Sequence, residues 1–157
     1  MRVGIGYDSH RFNAHRGPIK LGGVAIPSAR GLSGHSDADV LLHAITDALL
    51  GAIGAPDIGE LFPPSEACYK AKDSRWFVAQ AYARVRKAGF RVGNVDATVI
   101  ADAPKLTPYK LKMRQAIARL LHVPVSAVSV KGKTTEGLSP STRGIAVHAV
   151  VLLKGTR

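Results

Sequence analysis

Between Ile145 and Leu153 the chain reads Ile-Ala-Val-His-Ala-Val-Val-Leu-Leu, nine residues with a single polar member. The run is too short to cross a membrane, which takes roughly 18 apolar residues, and its β-branched content predicts a strand covered on both faces. Such a strand must lie inside a layered sheet, with helices on one side and another apolar surface on the other. The rest of the chain supplies matching pieces. Val3 and Ile5 alternate with Arg2, Gly4 and Gly6 in a strand that runs into Tyr7-Asp8-Ser9-His10. A second strand is predicted within 19–26, an extended run over 90–101, and a further strand at Val128 and Val130. Helical spacing appears over about 39–53, with Leu41, Leu42, Ile45, Ala48, Leu49 and Ala52 on one side, and again over 74–88 and 109–121. Ser36-Asp37-Ala38-Asp39 has the look of a capping box opening the first helix, Gly89 stops the second, and Pro104 and Pro108 punctuate the loop before the third.

These elements predict an α+β fold: one domain over 1–157, a small four-stranded mixed sheet with helices on one face, and subunit association covering the other. No Pro/Gly/Ser-rich linker or internal repeat divides the 157 residues, and 46% hydrophobic against 21% charged residues suits a packed core rather than disorder. The first residues lack an apolar signal-like stretch and no window is long enough to span a bilayer, so a soluble, cytoplasmic protein is expected. The one cysteine, Cys68, has no partner for an intramolecular disulfide and no zinc-cluster spacing.

The formal charge of +11 is uneven: residues 1–73 hold seven Lys/Arg and eight Asp/Glu, residues 74–157 fifteen and three. The first part offers carboxylates for a metal, the second attracts a polyanion such as a nucleotide. Nucleic acid is a weaker expectation, because the cations scatter over helices without an aromatic-basic signature or zinc-finger spacing.

Asp8 and His10, two apart at a strand end, point to the same side and can share an ion. His43 lies on the first helix, in a polar stripe with Asp39 and Asp47. Two imidazoles and one carboxylate make a three-ligand set for a zinc-like ion with a fourth position open to substrate. Taken singly, Asp8 and His10 read as turn residues and His43 as an ordinary helix histidine; Asp39 and Asp47 serve the helix dipole, face water, or orient the His43 ring. Gly34-His35-Ser36 reads either as a phosphate site at the helix entrance or as a plain cap. Lys133-Thr134-Thr135-Glu136 suits magnesium and diphosphate oxygens, or forms a short polar turn. The Ala101-Asp102-Ala103-Pro104-Lys105-Leu106 loop either brings backbone groups to a base edge or is rigid for its own sake, and spacing leaves both open.

Together, in this order, Gly4-Ile5-Gly6-Tyr7-Asp8-Ser9-His10-Arg11-Phe12, His35-Ser36-Asp37-Ala38-Asp39-Val40, His43-Ala44-Ile45-Thr46-Asp47-Ala48-Leu49-Leu50-Gly51-Ala52, Asp57-Ile58-Gly59, Ala103-Pro104-Lys105 and Thr134-Thr135-Glu136 resemble one family. It is the 2-C-methyl-D-erythritol 2,4-cyclodiphosphate synthase family, matched over residues 2–153, with the 35–59 block the most specific part. The resemblance implies a homotrimer with active sites between subunits. It implies conversion of 4-diphosphocytidyl-2-C-methyl-D-erythritol 2-phosphate to the cyclic diphosphate and CMP, in the non-mevalonate isoprenoid pathway, by metal-assisted in-line attack of the 2-phosphate on the β-phosphorus. Asp8, His10 and His43 would hold a divalent transition metal, zinc or manganese, and Glu136 would help hold magnesium on the diphosphate. His35, Thr134, Thr135 and Glu136 would act on the reacting phosphates. His35 and Ser36 would face the 2-phosphate, Asp57, Ile58 and Gly59 the sugar alcohol. Ala101, Ala103, Pro104, Lys105, Leu106, Thr134 and Thr135 of a neighbouring subunit would take the cytidine diphosphate, with Arg143 also among the substrate-binding residues.

The chain departs from the family pattern at Phe62-Pro63-Pro64-Ser65-Glu66, where Phe-Pro-Asp-Thr-Asp is usual, at Lys70-Ala71-Lys72-Asp73-Ser74, and in the shortened segment 137–144. The rival expectation is a non-catalytic trimeric nucleotide-binding module on the same scaffold.

Overall fold

The computed structural model describes residues 1–34, 36–70, 72–137 and 143–156. Four strands, β1 (Arg2–Arg11), β4 (Phe90–Ile100), β5 (Val128–Lys133) and β6 (Gly144–Gly155), form one sheet in the order β1-β6-β4-β5. β6 is antiparallel to both neighbours, from Arg2 opposite Leu153 to Arg11 opposite Gly144 on one side, and β4 and β5 run parallel. The small α+β domain with a mixed sheet is therefore as expected.

The second strand region is a hairpin instead of one strand. β2 (Ile19–Leu21) and β3 (Val24–Ile26) pair across Gly22-Gly23, both at positive φ, which a two-residue turn of this hand requires. The helices are α1 (Val40–Ala52), the short α2 (Ile58–Leu61), α3 (Ser74–Lys87) and α4 (Lys110–Leu121), with 3-10 turns at Thr107–Tyr109 and Val125–Ala127.

α1 packs directly on β1 and β6, burying Leu41, Leu42, Ile45, Leu49 and Leu50 completely, each side chain contributing about 1.5–3 kcal/mol. Its approach to β1 is set by two glycines: a Cβ at Gly4 would overlap the Ala48 carbonyl, and one at Gly6 the Ala44 carbonyl. Ala44, Ala48 and Ala52 supply the small side chains on the helix side. α1 begins later than the capping-box pattern suggests. Asp39 is its N-cap, accepting from the Leu42 amide at 3.0 Å, and Ser36 is separated from the helix by Ala38 at φ 56°. The Asp39 carboxylate also accepts from the Gly22 and Gly23 amides at 2.8 and 2.6 Å, tying the hairpin turn to the helix start.

One expectation fails within the chain. β6 alternates instead of being covered on both faces: Ile145, Val147, Ala149, Val151 and Leu153 are buried, His148 and Val150 exposed. Beside them on β1, Val3, Ile5 and Tyr7 are exposed, Ile5 by 68%. The run is apolar on its open side as well, and the described residues of the chain leave that side bare. Among the described residues no helix is long and apolar enough to cross a membrane.

Candidate metal and nucleotide site

The two glycines that admit α1 also determine the site. Gly4, Gly6, Asp8 and His10 share the helix-facing side of β1, so where the glycines end, Asp8 and His10 meet the first turn of α1 at His43. Asp8 Oδ2 lies 3.1 Å from His10 Nε2 and 3.1 Å from His43 Nδ1, and the two ring nitrogens are 3.3 Å apart. Their side chains are 25%, 16% and 12% exposed. Burial alone would raise the Asp8 pKa; hydrogen bonds and positive charge from His10 and His43 outweigh it and hold the carboxyl well below the usual carboxylate range.

The triangle fits a metal ion. A tetrahedral centre with bonds of about 2.0–2.1 Å has ligand-to-ligand edges of about 3.3 Å, close to the three edges here. One carboxylate and two imidazoles are the donors such an ion prefers, and His10 and His43 border a cavity of about 150 Å³. His10, Ser36, His43, Ile58 and Gly59 line that cavity, with Phe62, Pro64, Tyr69 and Phe77 as an apolar wall. Phe62 stacks edge-on against Tyr69 and Trp76 at 5.5 and 5.4 Å, which stiffens the wall.

Neither Asp39 nor Asp47 orients His43. Asp39 is fully buried on backbone amides, and Asp47 accepts from the Ile58 amide at 2.8 Å, anchoring α2. Burial pushes the Asp47 carboxyl up despite that bond. His43 Nε2 instead meets Ser36 Oγ at 3.1 Å and Ser74 Oγ at 2.9 Å. Asp57 caps α2 through the Glu60 amide at 2.8 Å and is exposed, while Ile58 and Gly59 line the cavity. His35 lies outside the described residues.

A second cluster forms where β4 and β5 end. Ala101, Pro104, Lys105, Leu106 and Thr134 line a recess of about 330 Å³ together with Asp102, Lys110 and Lys133. Ala103 is joined to Pro104 by a cis peptide in the same loop. Asp102, to which sequence reasoning gave no part, accepts from the Thr135 amide and hydroxyl, both at 2.8 Å, and so joins the two loops. The Thr134 hydroxyl donates to Glu136 in a short contact, and Glu136 is exposed at φ 52°. Thr135 and Arg143 lie along a third recess with Ser9, His10 and Arg11. Within one chain, the sequence-predicted residues thus gather as a metal-side group and a loop group, with Thr135 and Arg143 in a recess that also reaches His10. Ser74, Asp37 and Asp102 were missed because each is a common polar residue whose meaning comes only from its partner.

Comparison with known proteins agrees with this geometry. Residues 1–154 match the model of the YgbB family. A 2-C-methyl-D-erythritol 2,4-cyclodiphosphate synthase of Koribacter versatilis is 49% identical over 154 residues, 98% of each chain, and one of Proteus mirabilis 51% over 155 residues, 98% of this chain and 96% of its own. Among solved structures, a 2C-methyl-D-erythritol-2,4-cyclodiphosphate synthase in its CDP-bound form is 38% identical with a TM-score of 0.90, covering 98% of this chain and all of that one. The bifunctional IspDF of Campylobacter jejuni gives 42% identity and a TM-score of 0.92; this chain covers 98% of itself and 42% of that longer protein. Two glycines, three side chains grouped as a metal site would need and a nearly end-to-end match agree: the chain belongs to the YgbB family, that of the 2-C-methyl-D-erythritol 2,4-cyclodiphosphate synthases.

Proposed function

We propose that this protein converts 4-diphosphocytidyl-2-C-methyl-D-erythritol 2-phosphate to 2-C-methyl-D-erythritol 2,4-cyclodiphosphate and CMP, in the cytoplasm, as a homotrimer with active sites between subunits. The observation that carries the reading is the Asp8–His10–His43 triangle, with edges of 3.1, 3.1 and 3.3 Å, opening on a cavity in a chain of this family.

The 2-phosphate is already an anionic nucleophile, so the reaction needs no general base to remove a proton. An oxygen of that phosphate bonds to the β-phosphorus, the bond from the β-phosphorus to the bridging oxygen breaks, and CMP leaves with the electron pair. What the reaction lacks is alignment of two mutually repelling phosphates. A zinc or manganese ion on Asp8, His10 and His43, and a magnesium ion on the diphosphate, would supply neutralisation and polarisation of phosphate oxygens. Ser36, with His35, receives the 2-phosphate. Ile58 and Gly59 seat the sugar alcohol beside Asp57, against the aromatic wall. On the loop side, Ala101, Ala103, Pro104, Lys105 and Leu106 receive the cytidine diphosphate. Thr134 and Thr135 border its phosphates, Glu136 would assist the magnesium, and Asp102 holds Thr135 in place. Arg143 adds positive charge near the same phosphates.

Two observations support assembly from several chains: the aromatic-walled cavity and the Lys105 recess share no lining residue, and Val3, Ile5, Tyr7 and Val150 leave an apolar strip open on the sheet. The test is CMP release from the cytidine diphosphate substrate, measured with metal analysis. Stoichiometric transition metal and CMP release lost in His43→Ala support the enzyme; a folded, metal-free protein that binds CDP without turnover would establish the binding-module reading instead.

A further inference from the structure

Lys110 opens α4, a helix anchored in the core by Met113, Ile117 and Leu121, all completely buried. The lysine is itself partly buried, yet among the described residues its ammonium has no ion-pair or hydrogen-bond partner. Between Asp102 and Glu136 the chain has no acidic residue, and the Asp102 carboxylate is already engaged by the Thr135 amide and hydroxyl. With no acid in the first turn of α4, a cation there opposes the helix dipole, so Lys110 does not serve the helix.

What Lys110 borders is the loop recess. Its end lies across Gly132: a Cβ on that glycine would stand 3.6 Å from Lys110 Cε, 3.8 Å from Nζ and 3.7 Å from Leu106 Cδ1. The ammonium therefore sits on the same side of Gly132 as Leu106, carried by a fixed helix, whereas Lys105 and Lys133 are exposed. Ala101, Pro104 and Leu106 give this part of the recess the apolar surface that suits a flat ring. Thr134, which would border the phosphates, is two residues further along, about 7 Å away at the rise of an extended chain.

We propose that Lys110 is a specificity-determining residue that donates to the O2 and N3 edge of the cytosine ring and disfavours uracil. An ammonium only donates. In cytosine O2 and N3 are adjacent acceptors, whereas in uracil N3 carries a hydrogen that faces the ammonium donor to donor. Reading a base through hydrogen bonds along this edge is a general device of nucleotide recognition. The proposal rests on the recess being the cytidine diphosphate site.

The test is calorimetric binding of CDP and UDP to the assembled protein, comparing the parent with Lys110→Met and Lys112→Met. Methionine keeps most of the side chain's length and removes its charge. Lys112 is exposed on the same helix and does not line the recess, so its variant controls for the change in net charge. The parent should bind CDP more tightly than UDP. Lys110→Met should lose about 10-fold in CDP affinity, the worth of one charge-assisted hydrogen bond, with UDP affinity moving by less than about two-fold. Lys112→Met should keep the parent's ratio of the two affinities. Equal losses for CDP and UDP in Lys110→Met would assign the lysine to phosphate charge and overturn the base-reading role. Unchanged CDP affinity in the folded variant overturns it as well. A parent that binds neither nucleotide refutes the nucleotide reading of the recess, whereas a parent whose preference for CDP ignores Lys110 leaves that reading standing and removes only this proposal.

Discussion

At the β1–α1 end, three donor atoms lie 3.1–3.3 Å apart, each side chain is at most a quarter exposed, and His43 is gripped from behind by two hydroxyls. At the end of β4 and β5, Lys105, Lys133 and Thr134 are exposed around a recess with no aromatic wall. One region is preorganised within its own chain; the other presents cations and hydroxyls to whatever approaches. Preorganised groups act on bond rearrangement without being reordered, whereas an open cationic loop contributes attraction that solvent and salt weaken. The contrast predicts that chemistry and nucleotide affinity can be lost separately.

The largest effect should come from His43→Ala: CMP release falls by more than about 1,000-fold, as expected when a metal ligand is lost, while CDP affinity measured by calorimetry stays within a few-fold. Equal loss of both would break the comparison. Gly6→Ala comes next. Its methyl meets the Ala44 carbonyl, with no flexible side chain to move, so α1 must shift away from β1. Thermal or urea unfolding should show a loss of about 3 kcal/mol, and metal affinity should fall with it although no ligand is altered.

Lys105→Ala should leave bound metal unchanged and raise the KM for the cytidine diphosphate substrate by about 10-fold, a charge-assisted contact's worth. Co-refolding this variant with His43→Ala sharpens the point: one chain is inactive alone and the other weakened at low substrate, and recovery of CMP release at low substrate above the sum of the two alone is expected if the two groups meet across a subunit boundary. No recovery would place both groups in one chain's site.

The smallest effect concerns the start of α3. Hydrogen bonding to Arg75 holds the Asp73 carboxyl well below the usual range, against its burial and with help from Lys20. A native-state pKa below the unfolded one means stability that is present above about pH 4 and lost as pH falls toward the native value. Asp73→Ala should therefore cost about 1 kcal/mol at neutral pH, with the gap from the parent closing below pH 4 in unfolding titrations.

Much of this was legible from residues alone. Period-two alternation located β1, the 3.6 period located α1, α3 and α4, and the spacing of Asp8 and His10 put two candidate ligands on one side of a strand. The hairpin at Gly22-Gly23 was not seen, because eight residues with central glycines also fit one interrupted strand. Ser36 looked like a cap because its spacing to Asp39 fits one, yet Asp39 is fully buried and three backbone amides converge on it. The apolar Ile145–Leu153 run was read as covered on both faces because hydrophobicity reports a preference for burial and not whose atoms provide it. Ser74 and Asp102 stayed invisible for a related reason: a hydroxyl or carboxylate acquires its role from a partner dozens of residues away.

Asp39 carries a further consequence. It is entirely enclosed, burial pushes its carboxyl up against the pull of three backbone amides, and those amides belong to both the β2–β3 turn and α1. Neither segment can fray without stranding the other's acceptor, so the amide protons of Gly22, Gly23 and Leu42 should exchange with solvent in a single opening event. The hairpin, which contributes no residue to the Asp8–His10–His43 triangle, thereby shares its fate with the turn of helix on which His43 stands.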